Sequence, residues 1–166
     1  MQSTKNDLLN EKYDENMQDK LLKQYEIFVE SSERVSEKRM SANKFYLGLN
    51  TALFGIAGYI LILSNRFIAV VLSFIGIFIC LAWISNISSY KRLNSAKFKV
   101  IHKLEEHLPA KPFKLEDEYL GSFYSLTRVE RFIPILFIIL YVLILGLFLP
   151  ELILSFIKNI NLGGLI

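Results

Sequence analysis

The sequence holds one cysteine, Cys80, and four prolines, none of them before Pro109. A single thiol closes no internal disulfide and makes no metal site, so Cys80 reads as a small apolar packing residue. Charge is also missing, in blocks: no charged residue occurs from Phe45 to Ser64, from Phe67 to Tyr90, or from Phe132 to Pro150. A soluble helix needs a polar face toward water, and these runs have none. A bilayer core about 30 Å thick is spanned by roughly 20 such residues in a helix. There is no glycine-rich phosphate loop, no G-x-S-x-G elbow and no CxxC pair. No carboxylate, lysine or arginine lies inside the apolar runs, which speaks against ion-coupled transport. The expectation is a protein that is not an enzyme, with no catalytic residue, cofactor or metal.

What is present follows the same division. Lysine and arginine number eight before Phe45, one (Arg66) between the first two runs, nine from Lys91 to Arg131, and one (Lys158) after the third. Basic residues near spans are retained on the cytoplasmic side. The N-terminus and the stretch between spans two and three are therefore expected inside, with Asn65–Arg66 and the C-terminal tail outside. This excess is an orientation signal rather than a nucleic-acid patch, and no nucleic-acid partner is expected. The polar first 44 residues carry no cleavable signal, so the first span is expected to act as its own.

The fold class this predicts is all-α: an integral membrane protein with three transmembrane helices and long cytoplasmic helical extensions. A tight antiparallel hairpin joins spans one and two. The expected segments are a cytoplasmic N-terminal helix within 1–44, span one over 45–64, an outer turn at 65–66 and span two over 67–87. A cytoplasmic extension of helix two over 88–108, a loop and cap over 109–131, span three over 132–150 and an outer interfacial tail over 151–166 follow. Residues 1–7 read as a disordered start. Met17, Leu21, Tyr25, Phe28 and Val35 recur at helical spacing, interrupted at Ser32. Beyond Trp83, read as an interfacial anchor, Leu93, Ala96, Val100, Leu104 and Leu108 make a second stripe, which the N-terminal helix is expected to cover. Pro109 and Pro112 end that helix. Thr127 and Glu130 form a capping-box pattern for the third, where Pro134 falls early.

Two small-residue seams stand out. Gly48, Ala52 and Gly55 step along span one, and Ala69, Ser73, Gly76 and Cys80 along span two. Such seams let backbones approach closely, which is what joins helices in lipid. They are expected to face each other, or the same spans of a neighbouring subunit. Asn50, among the few polar residues at depth, reads as making an interhelical hydrogen bond or, alternatively, as one of a ring of amides about an oligomer axis. On the cytoplasmic side Lys91, Arg92, Lys97, Lys99, His102, Lys103 and His107 make a candidate interaction surface. His102 and Glu106 share a helix face at a spacing that could hold a metal, but a solvated face is the simpler account. Either histidine is a candidate proton sensor near neutral pH.

The stretches "QYEIFVESSERVSEKRMSANKFYLGLNTAL", "SYKRLNSAKFKVIHKLEEHLPAKPF" and "LTRVERFIPILF" resemble, in order and spacing, the RipA family of octameric bacterial membrane proteins. The likeness covers roughly residues 20 to 137. Tyr90, Leu93, Asn94, Lys97 and Phe98, followed by Leu108-Pro109, are its most distinctive part. The resemblance implies a homo-octamer in the bacterial cytoplasmic membrane and, for some members, support of proliferation in a host. It brings no catalytic residues. The function expected is an oligomeric scaffold with a cytoplasmic helical crown, whose partners are itself, membrane lipids and a cytoplasmic protein. The alternative is a channel or pore around the symmetry axis.

Overall fold

The structure, a computed structural model, describes residues 17–120 and 126–163. Between Gln18 and Gly48 the chain offers no glycine or proline, so nothing stops the helix where charge gives way to apolar residues. Helix α1 accordingly runs unbroken over Gln18–Ile62. Its end is closed by two backbone bonds: Asn65 N–H donates to the Ile60 carbonyl at 3.2 Å and Ser64 N–H to the Leu61 carbonyl at 2.9 Å. This paired closure needs a left-handed residue, and Ser64 supplies it with φ 61°. Asn65 then caps the next helix, its Oδ1 accepting from the Ile68 N–H at 3.3 Å. The expected hairpin is thus made by one residue that ends α1 and one that begins α2.

Helix α2 covers Arg66–Glu105. It stops before Pro109 because the residue preceding a proline avoids the helical region. The last carbonyls turn inward to His107 and Leu108 N–H groups at 3.1 and 3.2 Å. Residues 109–131 do not form the expected loop throughout. Pro112 starts helix α3, Pro112–Leu120, which contains the acidic run Glu116-Asp117-Glu118. Proline at the first helical position gives up an N–H that would be unsatisfied anyway, so here it begins a helix rather than ending one.

Helix α4 spans Leu126–Gly163 and holds Pro134 and Pro150 in its interior. Pro134 lies past the first turn, and Pro150 does not begin a separate tail. Each removes one backbone bond, yet the helix continues past both. The side chain of Thr127, and residues 1–16 with their expected disordered start, lie outside the described residues. Among the described residues all regular structure is helical, and α1, α2 and α4 each contain a stretch long and apolar enough to cross a membrane. The all-α, three-span fold class holds.

The chain divides into two compact units, one drawing on residues 1–40 and 88–125, the other on 41–87 and 126–166. In the first, polar unit, α1 and α2 run antiparallel. Leu21, Val35, Ile101 and Leu104 are buried there. Ser32 does not interrupt the α1 stripe: it is buried and donates to Asn94 Oδ1 at 3.2 Å. The buried face of α2 lies slightly round from the expected one. Leu93 and Ala96 are exposed, while Asn94, Lys97, Ile101 and Leu104 turn inward. Polar partners on α1 draw Asn94 and Lys97 in, which hydrophobic periodicity alone does not register. In the second, apolar unit the core includes Ala57, Ala69, Val70, Cys80, Trp83, Ile87, Tyr141 and Ile144. Trp83 is not presented outward as an anchor. It is buried, stacks on Tyr46 at 5.8 Å, and donates its indole N–H to Asn43 Oδ1 at 2.8 Å.

Candidate functional site

The apolar unit has its polar side chains gathered at one level. Asn50 on α1 is fully buried, and its Nδ2 donates to the Tyr46 carbonyl at 2.9 Å. Its Oδ1 accepts the Cys80 thiol of α2 at 3.1 Å. Its backbone carbonyl accepts the Tyr141 hydroxyl of α4 at 3.3 Å. Asn50 therefore joins three helices, each bond worth roughly 0.6–2 kcal/mol in lipid. Ser73 is buried too, but bonds backward to the Ala69 carbonyl at 2.8 Å within its own helix. This is the ordinary way a hydroxyl is satisfied in an apolar helix.

The two seams do not face each other. On α2, Ala69, Ser73, Gly76 and Cys80 are all buried. The α4 Tyr141 ring lies flat over Gly76, so close that a Cβ there would overlap it. Phe54 and Phe137 hold that ring, with centroids 5.7 and 6.4 Å away. On α1, by contrast, Gly48, Ala52 and Gly55 are exposed, and a Cβ added at either glycine would meet nothing within 4 Å. One seam is buried within the chain, meeting α4 Tyr141 at Gly76 and α1 Asn50 at Cys80. The other is left open.

In the polar unit the candidate basic residues split in the same manner. Lys91, Arg92, Lys99 and His107 are exposed. Lys97 is turned inward, donating to Ser31 Oγ and lying 5.9 Å from the centre of the Phe28 ring. Lys103 is half-buried, and so is His102, which meets Phe98 edge-on at 6.3 Å. The buried His102 Nε2 has no hydrogen-bond partner. No group of three or more metal-ligating side chains occurs among the described residues, so the His102 and Glu106 spacing is not completed there.

The most constrained group in this unit is one the sequence reading passed over. Glu105, the last residue of α2, is fully buried. Its Oε1 accepts the Tyr25 hydroxyl of α1 at 3.1 Å and the Phe113 N–H at 2.9 Å, and its Oε2 accepts the Lys114 N–H at 3.0 Å. Phe113 and Lys114 are the second and third residues of α3, so Glu105 caps that helix from another element. Lys111, in the cap position itself, has no side-chain acceptor to offer. Phe113 completes the contact, its ring 6.3 Å from Tyr25 and 5.9 Å from Phe98. Burial, and then the bond and negative charge of Glu105, push the Tyr25 hydroxyl up to about 12. A proline opening a helix without its own cap, just downstream of a carboxylate, was the only local hint.

These contacts make a set of helices locked by specific polar and aromatic pairs, with one small-residue face left bare. No curated protein and no solved structure matches the chain. Residues 22–150 match the model of the octameric membrane protein family (8xMP), and the chain belongs to that family.

Proposed function

We propose that the chain is the protomer of a homo-octameric scaffold in the bacterial cytoplasmic membrane, with its polar helical unit inside the cell. The observation that carries this is the unequal fate of the two seams. The α2 seam is buried within the chain, with α4 Tyr141 on Gly76, whereas Gly48, Ala52 and Gly55 of α1 leave a shallow face to which a neighbouring helix can approach closely. The family's octameric description supports filling it with a second copy. The inside placement rests on the charge count of eight, one, nine and one along the chain. Lys91, Arg92 and Lys99 of α2, with His107 just past its end, are exposed and then form a cytoplasmic surface suited to an acidic protein partner.

A channel whose path is lined by Asn50 or Ser73 draws no support from their positions, since both are buried within the protomer and already bonded. A role in supporting proliferation in a host rests on the resemblance alone, and a loss-of-gene strain tested inside and outside host cells checks it.

The test of the scaffold combines native mass with flux. Gly55→Leu is expected to break the octamer into smaller species while leaving protomer helicity unchanged. Proteoliposomes holding the intact assembly are expected to retain ions and small dyes. Dye or ion flux that Asn50→Leu alters without changing the mass would replace the scaffold with a pore. An octamer indifferent to Gly55→Leu would remove the α1 seam from the assembly.

A further inference from the structure

At one end of the apolar unit Arg66, the first residue of α2, pairs with Glu151 of α4. Both side chains stay about half exposed, at 52% and 54%. The guanidinium also lies over the Phe148 ring, 5.8 Å from its centre. Around the pair is a notch of about 490 Å³, whose walls include Ser64, Asn65 and Ser155. Phe67, Leu152 and Ser155 are shared with an adjoining open apolar groove of about 390 Å³, lined also by Val70, Leu149 and Phe156. A polar notch sharing walls with an apolar groove, at the start of α2 and beside Pro150 of α4, has the outline of a head followed by a chain.

The charges decide which head. Arg66 and Glu151 sum to zero, so an anionic head gains the guanidinium but meets the carboxylate. A head carrying both a phosphate and a primary ammonium gives each residue an opposite partner. Arginine has five N–H donors, enough to hold a phosphate and keep Glu151. A quaternary choline has no N–H to donate to the carboxylate, which an ethanolamine ammonium does. We propose that this notch and groove bind one ethanolamine phospholipid per subunit, the phosphate on Arg66, the ammonium near Glu151 and an acyl chain between α2 and α4. This depends on α2 and α4 crossing the membrane and is independent of the scaffold reading.

The experiment is native mass spectrometry of the full-length assembly, delipidated in detergent and titrated separately with dioleoyl phosphatidylethanolamine, phosphatidylcholine and phosphatidylglycerol. The ethanolamine lipid is expected to saturate at one per subunit, with at least about tenfold tighter retention than the other two. Arg66→Gln should weaken it about tenfold, and Glu151→Gln should weaken it while bringing the glycerol lipid level with it. The pair is exposed, and exposed pairs contribute at most about 1 kcal/mol, so neither variant threatens the fold. Ser155→Trp, which fills the notch while leaving both charged side chains in the sequence, should also expel the lipid. Equal retention of all three lipids, or retention unmoved by these variants, overturns the proposal. So does an assembly that takes up no lipid because a second copy covers the groove.

Discussion

Replacing Glu105 by alanine removes one carboxylate and strands three donors: the Tyr25 hydroxyl and the N–H groups of Phe113 and Lys114. Hydrogen bonds to a charged group are each worth about 1.5–3 kcal/mol, and a buried donor left unpaired adds its own penalty. The two α3 donors recover part of their loss by reaching water once α3 lifts, since most of that helix is exposed. The remaining cost is about 3–5 kcal/mol, a large share of an ordinary total stability of 5–15 kcal/mol. It falls first on α3, because a nine-residue helix without a cap or a packed partner does not hold itself together. Glu105→Gln keeps an acceptor for two of the three donors and is expected to lose about 1–2 kcal/mol. Glu106→Ala, at an exposed position next door, should change stability by no more than about 0.5 kcal/mol. The assay is amide hydrogen exchange of Leu115 to Tyr119 in the purified full-length protein. Protection there should collapse in Glu105→Ala, fall partly in Glu105→Gln and persist in Glu106→Ala. Unchanged protection in Glu105→Ala refutes the assignment of Glu105 as the cap that fastens α3.

Three further outcomes follow from the same contacts. Gly76→Ala places a methyl where the Tyr141 ring lies, forcing the ring from between Phe54 and Phe137; denaturant titration in detergent should show a loss of about 2–4 kcal/mol, against no loss of protomer stability for Gly55→Ala. Ser64→Gly relieves the left-handed backbone at the hairpin and should raise stability by about 0.5–1 kcal/mol, while Ser64→Val, branched where φ is 61°, should lower it; equal midpoints for the two would sink this account. The Tyr25 hydroxyl, pushed up from 10 to about 12, binds its proton more tightly in the folded state. Its contribution is therefore intact below pH 10 and lost as pH rises toward 12, so the stability advantage of the natural protein over Tyr25→Phe should shrink across that window.

The spans were readable because a bilayer imposes a requirement on composition that needs no knowledge of tertiary contact: a long run free of charge, present three times. The hairpin was readable because two residues leave the chain no route but back. What stayed hidden depended on distant partners. Asn94 and Lys97 look solvated beside Leu93, and only Ser32 and Ser31, on another helix, turn them inward. Glu105 is one of two adjacent glutamates in a charged stretch, and nothing local says which is buried. The answer lies in where Pro112 starts a helix. Tyr141 sits in a run of Leu, Ile and Val, so its match to Gly76, far away in the chain, is visible only once α2 and α4 are side by side.

The two seams carry that reasoning one step further. In sequence they are alike, small residues at three- and four-residue steps, yet the protomer uses only one. A glycine inside a helix is less favourable than alanine by about 0.5–1 kcal/mol, because it surrenders more backbone freedom. Gly76 recovers that loss by admitting the Tyr141 ring and, through its hydroxyl, the bond to the Asn50 carbonyl. Gly48 and Gly55 recover nothing among the described residues, where no atom comes near enough to exploit their missing side chains. In lipid a bare groove also gains little by being covered with acyl chains rather than closely packed protein. On the proposed assembly the loss is recovered between subunits, where a neighbouring helix backbone settles against Gly48, Ala52 and Gly55. Substituting alanine at both glycines should then stabilise the isolated protomer by up to about 1–2 kcal/mol while weakening the octamer. Opposite signs in those two measurements are what an intermolecular seam requires. The same sign in both would mean the glycines serve something other than contact between copies.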